Sequence, residues 1–242
     1  MITPDNYWES DLDRLKKLAW YPITTRRRSP PEASKFSGTP LLYSDERWPV
    51  CPGCRRPMHH MLQISSEDLP AEAKKVFGEG YLQVFFCIDA DYGCRVSETT
   101  YEPFSKGYVV RIINQEFGDL VPAKPMTVGK PFPELAIVGW RPQSDYPSWD
   151  DAKLNGIDQD YATAERVGAA GFPRDGDKLL GWPSWQQGAD YPSCPECEAP
   201  MRYILQIDSE DNVPYMFGDV GTAHVTQCEE HKDVMTLTWS GG

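Results

Sequence analysis

The chain contains no apolar run approaching the ~18 residues that a membrane span requires. Its start, Met1 to Arg14, is polar and acidic and does not read as a secretion signal. A cytoplasmic protein with no membrane partner is expected. Basic charge is scarce, with 24 Lys+Arg against 36 Asp+Glu and a net charge of −12 over 242 residues. A general nucleic-acid binder needs a basic face, so nucleic acid is not an expected partner. The sequence has no P-loop, no G-x-G-x-x-G, no G-x-S-x-G and no H-E-x-x-H, so the common phosphate-binding, hydrolase and metalloprotease chemistries have no foothold. Histidine is rare as well, with 4 residues.

What is present is cysteine, proline and glycine: 7 Cys, 22 Pro and 19 Gly. The Pro and Gly content predicts many turns and short elements. The acidity is uneven, because residues 121–242 hold 9 basic and 19 acidic side chains, nearly all of the excess. Such a face steers a basic partner or keeps the protein in solution. The one basic cluster, Arg26 to Arg28, precedes Ser29-Pro30-Pro31 and reads as a solvated loop.

The chain also repeats itself. Residues 51–68 read CPGCRRPMHHMLQISSED and residues 194–211 read CPECEAPMRYILQIDSED, with 11 of 18 positions identical at a constant offset of 143. Beyond them, Tyr81 to Phe86 ends at Cys87 and Thr222 to Gln227 ends at Cys228. Each unit reads as a Cys-x-x-Cys knuckle, a strand, an insert, a second strand and a further donor. The expected fold is α+β and β-rich, with two related lobes from an internal duplication packed as one body. The boundaries expected are an N-terminal helix and loop over 1–35, a first repeat over 36–120, a Pro/Gly/Asp-rich connection over 121–178 and a second repeat over 179–242.

Local pattern fills in the elements. Met58 to Ile64 and Met201 to Ile207 are short apolar runs with strand flanks. Tyr108 to Asn114 and Leu135 to Trp140 read as strands too. Val234 to Trp239 alternates, which places Met235, Leu237 and Trp239 on the core side. Ser65 to Asp68 before Pro70 is a helix-start signal, predicting a short helix over 70–77. Trp8, Leu12, Leu15 and Ala19 recur at helical spacing and predict a helix over 5–19. Trp140, Trp182 and Trp185 lie in Gly/Pro-flanked segments where an aromatic can be exposed. His224 is expected on the strand surface. Gln63 and Gln206, at equivalent strand positions, are expected to bond buried backbone.

The repeat sorts the cysteines into two four-donor sets. Cys51, Cys54, Cys87 and Cys94 form one; Cys194, Cys197, Cys228 and His231 form the other. A tetrahedral zinc ion takes four N or S donors, and a Cys-x-x-Cys turn presents two of them. Two structural zinc ions are expected. His59 and His60, beside the first knuckle, are the alternative to Cys94. Disulfides do not suit a chain without a secretion signal. A redox Cys-x-x-Cys leaves the downstream cysteines without a role. A deaminase-type zinc needs a His-x-Glu, which the sequence lacks.

The stretches WPVCPGCRRPMHHMLQI, GYLQVFFC, IVGWRPQSDYPS, KLLGWPSWQQ, CPECEAPMRYILQIDSED and the FGDVG to CEEH ending resemble the YwqG-like proteins of bacteria. The resemblance runs from about Lys35 to the C-terminus. It extends distantly to the programmed-cell-death-2-like chaperones, and other relatives are immunity proteins of toxin systems. It implies a β-rich fold of two related lobes and a protein-binding role, without catalytic residues. The expected function is therefore a non-catalytic, zinc-stabilised immunity protein, monomeric when free, that neutralises a basic, nuclease-type toxin. The alternatives are a chaperone or peptide-binding module for a housekeeping protein and, last, an enzyme.

Overall fold

The computed structural model describes residues 10–89, 93–124 and 131–241. Twelve strands are present among these residues, with three short helices. The strands are β1 (Lys17–Thr25), β2 (Lys35–Phe36), β3 (Leu41–Tyr43), β4 (His59–Ser65), β5 (Tyr81–Phe86), β6 (Tyr108–Ile113), β7 (Leu120–Pro122), β8 (Leu135–Asp145), β9 (Lys178–Leu180), β10 (Arg202–Asp208), β11 (Thr222–Gln227) and β12 (Met235–Ser240). The helices are α1 (Ser10–Asp13), α2 (Trp149–Leu154) and α3 (Tyr161–Ala169). None is long and apolar enough to cross a membrane. The β-rich expectation holds.

Ten strands form one sheet in the order β12-β11-β10-β9-β1-β8-β2-β4-β5-β6, and β3 pairs with β7 apart from it. The sheet curls until its two edges meet. Tyr108 of β6 lies 2.6 Å from the Thr236 hydroxyl of β12, and the Phe104 amide donates to the same hydroxyl at 2.7 Å. Curling removes most of the exposed edge that an open sheet would present. It also buries both faces of β12: Thr236 and Thr238 are as inaccessible as Met235 and Leu237, where alternation alone predicted one outward face.

The order of strands exchanges partners between the halves. β2 pairs with β4 of its own half and with β8. β9 pairs with β10 of its own half and with β1. The strand that opens each half thus pairs with the second strand of the other, and β1 and β8 join in the middle. One core results, in which Leu62, Ile64, Leu82 and Val84 pack with Leu205, Ile207, Ala223 and Val225. The halves share this core instead of holding one each.

The two hairpins agree in detail. β4 and β5 slip register between His60 and Leu62; β10 and β11 slip between Tyr203 and Leu205. The extra residues, Met61 and Ile204, are both fully buried. Gln63 accepts the Leu41 amide and donates to the Pro31 and Ala33 carbonyls. Gln206 accepts the Ser184 amide and donates to the Arg174 and Gly176 carbonyls. Every one of these partners keeps the offset of 143. An unpaired buried amide costs about 1–3 kcal/mol, so each glutamine fixes a loop crossing to its hairpin.

Several local expectations differ. Of the helix expected over 5–19, residues 5–9, Trp8 among them, lie outside the described residues; helix is described over Ser10–Asp13, and from Lys17 the chain is strand β1. Leu12 does pack with Ala152 of α2 and Val167 of α3. Ala19 belongs instead to a central strand, because pairing with β8 and β9 outweighs local periodicity. The helix expected over 70–77 is one 3-10 turn, Ala71–Ala73, stopped by Lys75 at φ +66°. The strand expected over Leu135 to Trp140 is present as β8 and runs on to Asp145, and α2 and α3 follow it within 121–178. Ser148 and Asp160 cap these helices, accepting the amides of Asp151 and Thr163.

Candidate metal centres

Each knuckle is a tight turn closed by one short bridge, Val50 to Pro57 in the first half and Ser193 to Pro200 in the second. The Cys51 amide donates to the Arg56 carbonyl, and the Arg55 amide donates to the Cys51 carbonyl, both at 2.9 Å. Cys194, Ala199 and Glu198 repeat these bonds at 2.9 and 2.8 Å. Arg55 and Glu198 both sit at φ +61°. The turn aims two thiols one way, and the end of the next strand supplies the facing donors.

The first group is Cys51, Cys54, Cys87 and Cys94; the second is Cys194, Cys197, Cys228 and His231. In each, the donor atoms all lie within 4.8 Å of one another. Sulfur separations in the first are 3.7 Å (Cys51 to Cys94), 3.8 Å (Cys54 to Cys87) and 3.9 Å (Cys87 to Cys94). In the second, Cys197 and Cys228 are 3.6 Å apart, and His231 Nδ1 is 3.6 Å from Cys194 and 3.7 Å from Cys228. A disulfide would bring sulfurs to about 2 Å, and all seven cysteines are free. A tetrahedron with ~2.3 Å arms has edges of about 3.8 Å. Both groups already stand at that spacing and can each hold a metal ion.

Protons compete for the same donors. Burial pushes the Cys87 thiol well up. The His231 amide draws Cys228 down to about 6, and the adjacent Cys194 sulfur raises His231 to about 9. Metal binding releases such protons, so affinity rises with pH.

Outer contacts hold the donors. His231 Nε2 faces Glu196 at 3.4 Å, a carboxylate partner behind a histidine ligand. The amides of Glu196 and His231 donate to the sulfurs of Cys194 and Cys228. In the first centre Asp89 lies 3.3 Å from the Cys54 sulfur and 3.0 Å from Arg56. Gly53 has no room for a side chain, since a Cβ there would come within 2.8 Å of Val96 and 3.0 Å of the Cys94 sulfur. Glu196 and Asp89 carried no signal in the sequence, because an outer carboxylate has no fixed spacing from the donors it supports.

The histidines weighed against Cys94 stay outside the first group. His60 Nδ1 is 3.0 Å from the Ser37 carbonyl, and the His59 ring packs at a tilt against Phe132. His224 is buried against Trp185 instead of facing solvent, and burial lowers it to about 3. Trp182 is buried and donates to the Leu15 carbonyl. Trp140 and Trp185 are half-buried, donating to the Asp68 carbonyl and the Asp151 carboxylate.

A cleft of about 480 Å³ opens beside β1 and β10, lined in part by Lys17, Trp20, Leu180, Tyr191, Arg202 and Tyr203. No position in the sequence announces it, since its walls come from segments nearly 190 residues apart.

A domain family described as of unknown function (DUF1963) matches residues 34–231. The match runs from Ser34 to His231 and so encloses all eight donors. A search of curated proteins returned no match.

Proposed function

The chain belongs to the DUF1963 family, and we propose that it is a non-catalytic, zinc-stapled protein-binding protein. Its occupant on this reading is a basic, nuclease-type toxin, and the chain acts in the cytoplasm as the toxin's immunity protein, monomeric when free. Kinship to the YwqG-like proteins and descent from an internal duplication are part of the proposal. The repeated bonds at an offset of 143 support the duplication.

Zinc is the metal proposed for both centres. Three or four thiolates with at most one imidazole, at tetrahedral edge lengths, suit zinc. Four protein donors leave no open position, so the role is structural: Cys51, Cys54, Cys87 and Cys94 would staple one hairpin, and Cys194, Cys197, Cys228 and His231 the other.

Charge carries the partner reading. Around the second centre Glu196, Glu198, Glu229, Glu230 and Asp233 are all exposed. Around the first, Arg55, Arg56 and Arg95 are exposed alongside Glu98. The cluster of carboxylates at the second centre would accelerate encounter with a basic surface. Co-expression with the product of the neighbouring gene tests the reading. Rescue of growth and a salt-sensitive complex are expected. A non-toxic neighbour, or a toxic one that neither binds nor is neutralised, would overturn the immunity role.

The cleft beside β1 favours a second reading, a peptide-binding chaperone for a housekeeping protein. One dominant housekeeping partner in a pull-down, in place of a toxin, would select it.

A further inference from the structure

The pseudo-symmetry shows what the cleft beside β1 is missing. In the second half, Leu179 of β9 pairs with Trp20 of β1. In the first, Phe36 of β2 pairs with Leu135 of β8. Phe36 and Leu179 stand 143 apart, so Trp20 occupies the place of Leu135. The residues just before agree: a Cβ on Gly181 would meet Ala19, and a Cβ on Gly38 would meet Glu134. The segment Lys17 to Trp20 thus corresponds to Phe132 to Leu135. On the opposite wall, Arg202 and Tyr203 correspond to His59 and His60.

The two corners are filled differently. In the first half the Phe132 ring packs on His59, with ring centroids 4.8 Å apart. In the second half the corresponding residue is Lys17, whose side chain lies along the cleft wall. Its Nζ lies 3.2 Å from the centroid of the Trp182 ring. Among the described residues the space beside Arg202 stays open, and Trp20, Leu180, Tyr191 and Tyr203 line it.

We infer that this cleft is a docking site for an extended segment of a partner protein that inserts an aromatic side chain, as Phe132 does in the other half. The inference rests on the protein-binding reading and names where and what the chain binds. The internal occupant is Pro-flanked, Pro131-Phe132-Pro133, and proline holds a segment extended at low entropic cost. The cleft's volume is in the range of ligand sites. Lys17 and Arg202 stand at its walls against Glu72, so an acidic residue next to the ring is preferred over a basic one. A buried aromatic anchor is the usual centre of such an interface.

The probe is the capped peptide Pro-Phe-Pro-Glu-Leu, the sequence of residues 131–135, titrated into the full chain while backbone amide shifts are followed. Saturable shifts are expected at Leu180, Gly181 and Tyr203. The peptide with Ala in place of Phe should bind at least about tenfold more weakly. Lys17→Phe should plug the cleft and abolish binding without loss of melting temperature. Leu18→Trp, at a half-exposed position on the rim (44%), gives the same blockade if the first variant folds poorly. Absence of saturable shifts, equal binding of the Ala peptide, or undiminished binding to both variants overturns the site. A full-length partner that binds the plugged variants as tightly as the parent also overturns the cleft, while leaving the protein-binding reading intact.

Discussion

Lys178 donates to Asp145 at 2.9 Å with both side chains wholly out of solvent. Asp145 also accepts the amides of Tyr146, Arg174 and Trp182. It ends β8 and ties that strand to the segment entering β9, at the exchange point between the halves. Asp145→Ala should cost about 3–5 kcal/mol, since it strands a buried ammonium and orphans three amides. Lys178→Met should cost less, because the carboxylate keeps its amide donors. Urea denaturation of both variants measures the order; a milder Asp145→Ala would show that the amides find other partners.

Metal content separates the centres. Elemental analysis of protein purified without chelator should give about two zinc ions per chain, one for each four-donor group. Cys194→Ser should lose one of them and lower the melting temperature by roughly 10 °C or more. Zinc near zero in the parent, or an unchanged melting temperature in the variant, would remove the structural role.

Stability should fall in mild acid, with an identifiable cause. Burial lowers His60 to about 4 and His224 to about 3, whereas an unfolded histidine takes up its proton near 6.5. As pH falls, the unfolded state binds protons first, so the stability these residues contribute is complete above about pH 6.5 and is lost from there toward pH 3–4. In the other hairpin Gln83 pairs with Gln63 as His224 pairs with Gln206. His224→Gln should therefore fold and should flatten the loss between pH 6.5 and 4. An unchanged slope in denaturation midpoints across that range would assign the acid sensitivity elsewhere.

Two glycines make an opposed pair. Gly181 has φ +76°, and a Cβ there would fall 2.5 Å from Asp145 Oδ2 and 2.7 Å from Ala19 Cβ. Gly181→Ala should cost at least about 2 kcal/mol, from left-handed strain and collision together. Gly168 lies in α3 with nothing within 4 Å of its Cβ position. Gly168→Ala should stabilise by roughly 0.5–1 kcal/mol through the unfolded state. Thermal melts of the two variants should move in opposite directions.

Much of the site was legible because its determinants are local. A Cys-x-x-Cys turn fixes two donors within four residues, and the hairpin that follows returns the chain to them at a distance set by strand length. The repeat then assigned His231 to the place that Cys94 fills in the first half, and the donor atoms do converge. Gln63 and Gln206 likewise declared themselves by standing at matching strand positions. The outer carboxylates did not, since no fixed spacing marks them, and neither did the cleft, whose walls come from distant segments.

The strands of both hairpins and the two donor sets followed from amino-acid order alone, because strand alternation, knuckle spacing and internal identity are short-range patterns. Tertiary structure decided the rest. It drew Lys17 to Ala19, the end of the helix expected over 5–19, into β1, because β8 offers Lys17 to Thr25 a ladder of hydrogen bonds and β9 pairs on the other side. It also joined the two halves into one curled sheet by exchanging their opening strands. Pairing between β1 and β8, more than a hundred residues apart, depends on packing and mutual hydrogen bonding, which no local pattern encodes.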